Sequence, residues 1–336
     1  MSKEREKSRI GKIRDGAFSM QVGDESDGAI SEMVNVADKD MYIIKKHAIY
    51  RVFLADEVDP ERTNSSIPNG HQKIVSQGSE SEIVARSFLS ANVLFNSNQF
   101  DGEADLKQVM DLSIVVMKEL LAAQKIERDL INKQDIALAA FQQPKQRSVA
   151  LPSVEGLNEC LKTFVQKIEH ATQAIFAFSQ QFYGHTEKMW NGFESEVEKL
   201  YGGADGFSKF AVSMTPFMVF IRNLRHCVEH PKDVQRVIVK DFSITADGTL
   251  TNPTVEVVHA AFPQAEMEVR SFLAQVADQV LEIFEGLMIH LASKHIAPFG
   301  AFEKAVGFLP PDQLAPDSKV RASYFIWIND GWSKLS

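Results

Sequence analysis

Apolar residues recur at alternating spacings of three and four through Phe207, Phe210, Met214, Phe217, Ile221, Leu224 and Val228. That spacing lays one continuous seam along one side of a helix. Pro216 lies inside this helix and predicts a kink, and Pro231 ends it. Comparable stripes mark further helices. Ser79-Glu80-Ser81-Glu82 fits a capping box ahead of Ile83, Val84, Phe88, Ala91 and Phe95. Leu106, Val109, Met110, Met117, Leu120 and Leu121 share a face of a helix from about 104 to 141, closed by Pro144. A third helix begins after Pro152, carries Leu157, Phe164, Ile168 and Ile175 to about Tyr183, and resumes towards Leu200 before Gly202-Gly203. A last long helix carries Val269, Phe272, Leu273, Val276, Val280, Phe284, Leu287 and Leu291.

Other patterns are shorter. Residues 234–244 and 249–259 read as two strands around Ala246-Asp247-Gly248, where Asp-Gly supplies the positive φ of a tight hairpin turn. Tyr42 to Ala55 is apolar and β-branched, and reads equally as a buried strand or a short helix. The stretch 56–78 reads as a long loop, whose acids Asp56, Glu57, Asp59 and Glu61 fit a solvated surface better than a cation site. The expected fold class is therefore mainly α: an up-and-down helical bundle of four to five long helices, with a β-hairpin inserted before the last one. Residues 1–40 are polar and without sustained period, and read as a flexible arm. Residues 41–103 form an N-terminal segment packed on the bundle, residues 104–296 the bundle with its hairpin at 234–259, and residues 297–336 a tail along the outside. The Met and Phe stripes are read as core, not as a cofactor pocket, and no cofactor is expected.

Composition narrows the class. With 44% hydrophobic and 24% charged residues among 336, the chain has the make-up of a globular protein. A net charge of −9 argues against a surface that is basic throughout, and leaves nucleic acid only a local patch. Two cysteines, Cys160 and Cys227, make no disulfide framework and read as small buried apolar residues in a reducing compartment. Met1-Ser2-Lys3-Glu4-Arg5 is followed by no apolar core of a secretory signal, and no run approaches a membrane span, so the expected localisation is cytoplasmic, with no membrane partner.

Candidate chemistry concentrates in Arg222-Asn223-Leu224-Arg225-His226-Cys227-Val228-Glu229-His230-Pro231. At ~100° per residue, Arg222, Asn223, Arg225, His226, Glu229 and His230 share one arc behind the apolar seam. His230 precedes proline and so leaves the helix at its carboxyl end, where the macrodipole favours an imidazolium. An imidazole exchanges protons near neutral pH, and a guanidinium forks onto phosphate oxygens. Together they suit phosphoryl transfer between oxygens without a metal. Lys232, Arg236 and Lys240 follow closely and extend a phosphate-binding strip, although alternation along a solvated strand accounts for them equally well.

Arg225-His226-Cys227-Val228-Glu229-His230 resembles the motif of HEPN domains: Arg, a polar residue, then His after four to six intervening positions. The resemblance covers this motif and a compatible helical context at about 105–296. It implies an α-helical bundle and a metal-independent endoribonuclease, often a toxin or antiviral effector. Cleavage would proceed by 2′-hydroxyl attack and leave a 2′,3′-cyclic phosphate. Arg225 would stabilise phosphate charge, His230 would act on the 2′-hydroxyl or the leaving group, and His226 would fill the polar second position. Arg222, Asn223 and Glu229 would support them. Family members dimerise so that two motifs line one cleft, which implies a homodimer with a composite site, RNA at a local basic patch and an inhibitory protein partner. A composite site would also bring together Arg225 and His230, which lie ~140° apart on one straight helix.

Two rivals use the same residues. His226-Cys227-Val228-Glu229-His230 matches H-x-x-E-H, in which both histidines bind zinc and Glu229 acts as general base. Glu282, Glu285 or His290 would then supply a third ligand; flanking arginines and Pro231 oppose this reading, and no metal is expected. The other rival is a non-catalytic helical dimer or anionic-ligand-binding module, in which Arg225 and Glu229 simply form an i, i+4 pair.

Overall fold

The long helices form the core that the periodicity predicts, but they are joined by sheets. The computed structural model describes residues 10, 14, 20–36, 40–96, 98–141, 149–183, 189–314, 318–328 and 331–335. Helix α4 (Leu106–Ala139) starts at Asp105, whose side chain accepts from the Gln108 amide. It runs beside α5 (Leu157–Gln180). Next come α6 (Trp190–Tyr201), α7 (Gly206–Glu229) and α8 (Val269–Lys294). Gly202, at φ 80°, lets the chain leave α6 and turn sharply into Asp205, the N-cap of α7. Phe164, Phe178, Phe193, Phe207 and Phe284 are fully buried where these helices meet. Pro144 lies outside the described residues.

The expectation of a mainly α bundle is wrong. Among the described residues, four separate antiparallel sheets accompany the helices. In the first, strands β1 (Ile30–Asn35), β2 (Met41–Lys45), β3 (Ile49–Phe53) and β4 (Gly70–Val75) pair in sequence order. Residues 41–55 are thus mostly a hairpin, followed by the single turn α1 (Ala55–Val58). This sheet is covered on both faces, which hides its alternation. Tyr42, Ile44 and Ile49 enter the main core, while Ile43, Tyr50 and Val52 enter a smaller cluster with Val22 and Ala48. Residues 20–36, read as part of a flexible arm, supply a 3-10 turn (Glu25–Asp27) and the edge strand β1.

Of the loop acids at 56–61, Asp56, Glu57 and Asp59 are committed to the chain itself, and Glu61 is exposed. Asp56 pairs with Arg14 and Arg62, and Asp59 accepts from Arg14 and the Thr63 and Asn64 amides. The capping box at Ser79–Glu82 does not form. Helix α2 (Glu82–Val84) has Ser81 at its N-cap without a side-chain bond, and Ser79 instead meets Ser31 at 2.6 Å. A π turn (Ala85–Leu89) then leads into α3 (Ser90–Leu94).

The predicted hairpin is present but interrupted and extended. β5 (Gln235–Lys240) pairs with β8 (Thr254–His259), and β9 (Gln264–Glu268) adds a third strand. β6 (Ser243–Ile244) and β7 (Leu250–Thr251) pair separately beside the turn at Gly248, whose φ is 83°. The tail is a further sheet: β10 (Lys304–Phe308), β11 (Ala322–Ile328) and β12 (Gly331–Lys334). It is tied to α8 by Glu285, 1% exposed, which binds Arg86 from the π turn and Arg321 ahead of β11. Among the described residues, no helix is long and apolar enough to cross a membrane.

Candidate active site at the carboxyl end of α7

Helix α7 is oriented by its seam. Phe207, Met214, Ile221 and Leu224 are buried as predicted, and Phe210, Phe217 and Val228 pack at its margin. The helix ends at His230, whose φ of −132° and ψ of 61° are not helical and whose amide still donates to the His226 carbonyl at 2.9 Å. Pro231 prevents another turn.

The polar arc divides into two environments. Arg222, His226 and His230 are exposed, and the imidazoles of His226 and His230 stand with centroids 6.2 Å apart. Arg222 has no ion pair or hydrogen bond to its side chain among the described residues. Asn223, Arg225 and Glu229 are half-buried.

Arg225 reaches towards α5. Its Nε donates to Glu229 Oε2 at 2.9 Å, and Nη1 lies 3.2 Å from Glu169 Oε1. Gln166 donates to Glu229 Oε1 at 3.1 Å, and Gln173 donates to Glu169. Burial alone would lower the Arg225 pKa, but the carboxylates of Glu169 and Glu229 more than offset it and raise it. Glu229 is held below the usual glutamate value, first by the Gln166 hydrogen bond and then, against some desolvation, by Arg225 and His230. The structure pairs His226 with His230, and Arg225 with two carboxylates.

Glu169 and Gln166 went unread in the sequence, although Glu169 carried a signal. It falls among Phe164, Val165, Ile168, Thr172 and Ile175, where a carboxylate at a core position demands a partner. It is 5% exposed, and its Oε2 has no hydrogen-bond partner among the described residues.

The proposed basic strip is largely occupied. Lys240 pairs with Glu266 at 2.8 Å and Arg236 donates to the Asp233 carbonyl, leaving Lys232 as the exposed cation without a side-chain partner among the described residues. The zinc reading loses its third ligand. Glu285 is held by Arg86 and Arg321, Glu282 is exposed, and His290 stacks on Phe207 with centroids 5.3 Å apart. Among the described residues, no three or more His, Cys, Asp or Glu are grouped to hold a metal ion. Both cysteines are free; Cys227 is buried and burial raises its pKa, whereas Cys160 is only half-buried.

A cleft of about 200 Å³ opens where α7 ends, between the first turns of α5 and strand β5. Its apolar lining comes from Leu161, Cys227, Val228, Pro231, Val237 and Val239, and the exposed Asn158, Glu159 and Lys162 complete it. No family model, curated relative or solved structure matches this chain.

Proposed function

We propose that this chain is a metal-independent endoribonuclease of HEPN type, cleaving RNA by 2′-hydroxyl attack to leave a 2′,3′-cyclic phosphate. The observation that carries the reading is the exposed imidazole pair, His226 and His230, 6.2 Å apart at the end of α7. One imidazole takes the proton of the 2′-hydroxyl as that oxygen attacks phosphorus. The other protonates the departing 5′-oxygen, so the phosphodiester opens with no net change in protons. Arg222, exposed on the preceding turn, is the guanidinium free to meet the phosphate, with Lys232 beyond it. Arg225 acts as a positioning residue: bound to Glu169 and Glu229, it fixes the turn from which both imidazoles project. Asn223 lines the same arc.

The reading extends to a homodimer with a composite site. Val212, Pro216, Val219 and Phe220 lie at least partly exposed on the side of α7 that carries Asn223, His226 and His230, and a second copy would cover them. A cytoplasmic toxin or antiviral effector of this kind would be restrained by an inhibitory protein partner.

One observation favours a non-catalytic dimer or anionic-ligand module instead. Arg225, the arginine of the motif, is already neutralised by two carboxylates of its own chain. The discriminating experiment is RNA cleavage in excess chelator by the wild type and by His226→Ala, His230→Ala and Arg222→Ala. Each histidine variant should lose roughly 10²–10⁴-fold in rate with unchanged helix content. Wild-type protein that leaves RNA intact, or cleavage that survives in the double histidine variant, would refute the nuclease.

A further inference from the structure

The cleft beside the motif has a construction that phosphodiester chemistry alone does not require. Val228 and Pro231 come from the end of α7, and Val237 and Val239 from one face of β5, so two elements that pack on each other and on the core also line an apolar slot. The slot is bordered by Pro231, which follows His230 in sequence.

Its lip is polar and uncommitted. Asn158, Glu159 and Lys162 are exposed on the first turns of α5, and their side chains make no hydrogen bond or ion pair among the described residues. They offer an amide, a carboxylate acceptor and an ammonium donor above an apolar floor. A flat heterocycle with both donors and acceptors on its edge matches that set.

Guanine matches it best. Its N1–H and exocyclic amino group present two adjacent donors to one carboxylate, while O6 and N7 accept from an ammonium or amide. Adenine and cytosine each offer a single amino donor group, and uracil only its ring N–H. We propose that this cleft binds a guanine base of the RNA, with Glu159 reading its donor edge, Lys162 and Asn158 its acceptors, and the valines stacking on its face. The inference rests on the nuclease reading for its substrate, but base binding is measurable without cleavage.

The test is saturation-transfer NMR and calorimetry on the full chain with GMP, AMP, CMP and UMP. GMP should bind at least about tenfold more tightly than the others. Glu159→Gln should erase that preference, Val239→Trp should block the slot, and Lys162→Met should weaken GMP without refolding a buried position. Equal affinity for all four nucleotides, no binding, or a guanine preference untouched by Glu159→Gln and Lys162→Met would overturn the proposal. RNA cleavage without preference for sites beside guanosine would overturn it while leaving the nuclease intact. GMP selectivity in a protein that cleaves no RNA would instead uphold the cleft and remove the nuclease.

Discussion

Replacing Arg225 by Met tests whether the motif arginine is structural. The aliphatic stem is retained and the charge removed, leaving Glu169 and Glu229 without their shared cation. The side chains of Arg225, Glu169 and Glu229 are 35%, 6% and 20% exposed, so the cluster lies between a surface pair and a buried one. A surface pair contributes ~0–1 kcal/mol, and breaking a buried one costs ~3–5 kcal/mol, so the expected loss is about 2–3 kcal/mol. Urea unfolding followed by circular dichroism measures it. In a Glu169→Gln background the same substitution should cost clearly less, because the buried carboxylate is gone. The penalty should also depend on pH. Glu229 is held below its ordinary value of 4.5, so its contribution is complete above that value and is lost as pH falls through the depressed one. An Arg225→Met protein within about 0.5 kcal/mol of wild type at neutral pH would refute the clamp.

Further substitutions probe the frame. Glu285→Gln leaves Arg86, 6% exposed, with only the exposed Glu82 carboxylate at 4.0 Å, and should cost about 3–5 kcal/mol and loosen the C-terminal sheet in hydrogen exchange. Gly78→Ala places a methyl group against the Lys45 carbonyl, backbone that has nowhere to move, and should destabilise by ~1–3 kcal/mol in thermal unfolding. Asp27 is pushed down to about 2 by the Lys73 ammonium and then the Tyr50 hydroxyl, and Asp59 to about 2 by the Asn64 and Thr63 amides. Their stabilisation is complete above the ordinary aspartate value of 3.8 and disappears as pH falls towards 2, so acid titration should open the N-terminal sheet in that window and earlier in Asp27→Asn.

The helices were legible because each buries one stripe. Leu106–Ala139, Gly206–Glu229 and Val269–Lys294 match their periodic segments closely. The sheets were hidden for different reasons. In β2, Ile43 and Ile44 are both buried, on opposite faces, so no alternation survives. In β4, Gly-His-Gln-Lys-Ile-Val is a mostly exposed edge strand whose polar positions resemble a loop. In β11, Ala322 to Phe325 are buried in succession. At the site, the sequence brought out the polar arc of α7 but not its split. Local spacing could show Arg225 and Glu229 as partners, yet Glu169 arrives from another helix. That long-range contact gives the arginine a second carboxylate to bind.

The central claim is that His226 and His230 together cleave RNA without a metal. The most direct measurement is the chemistry of the new RNA ends after digestion in excess EDTA, read by phosphorus NMR on a short oligonucleotide. The wild type should yield a 2′,3′-cyclic phosphate, and His230→Ala should leave the substrate intact. A 5′-phosphate product, or the same cyclic product from the His226→Ala/His230→Ala double variant, would contradict it.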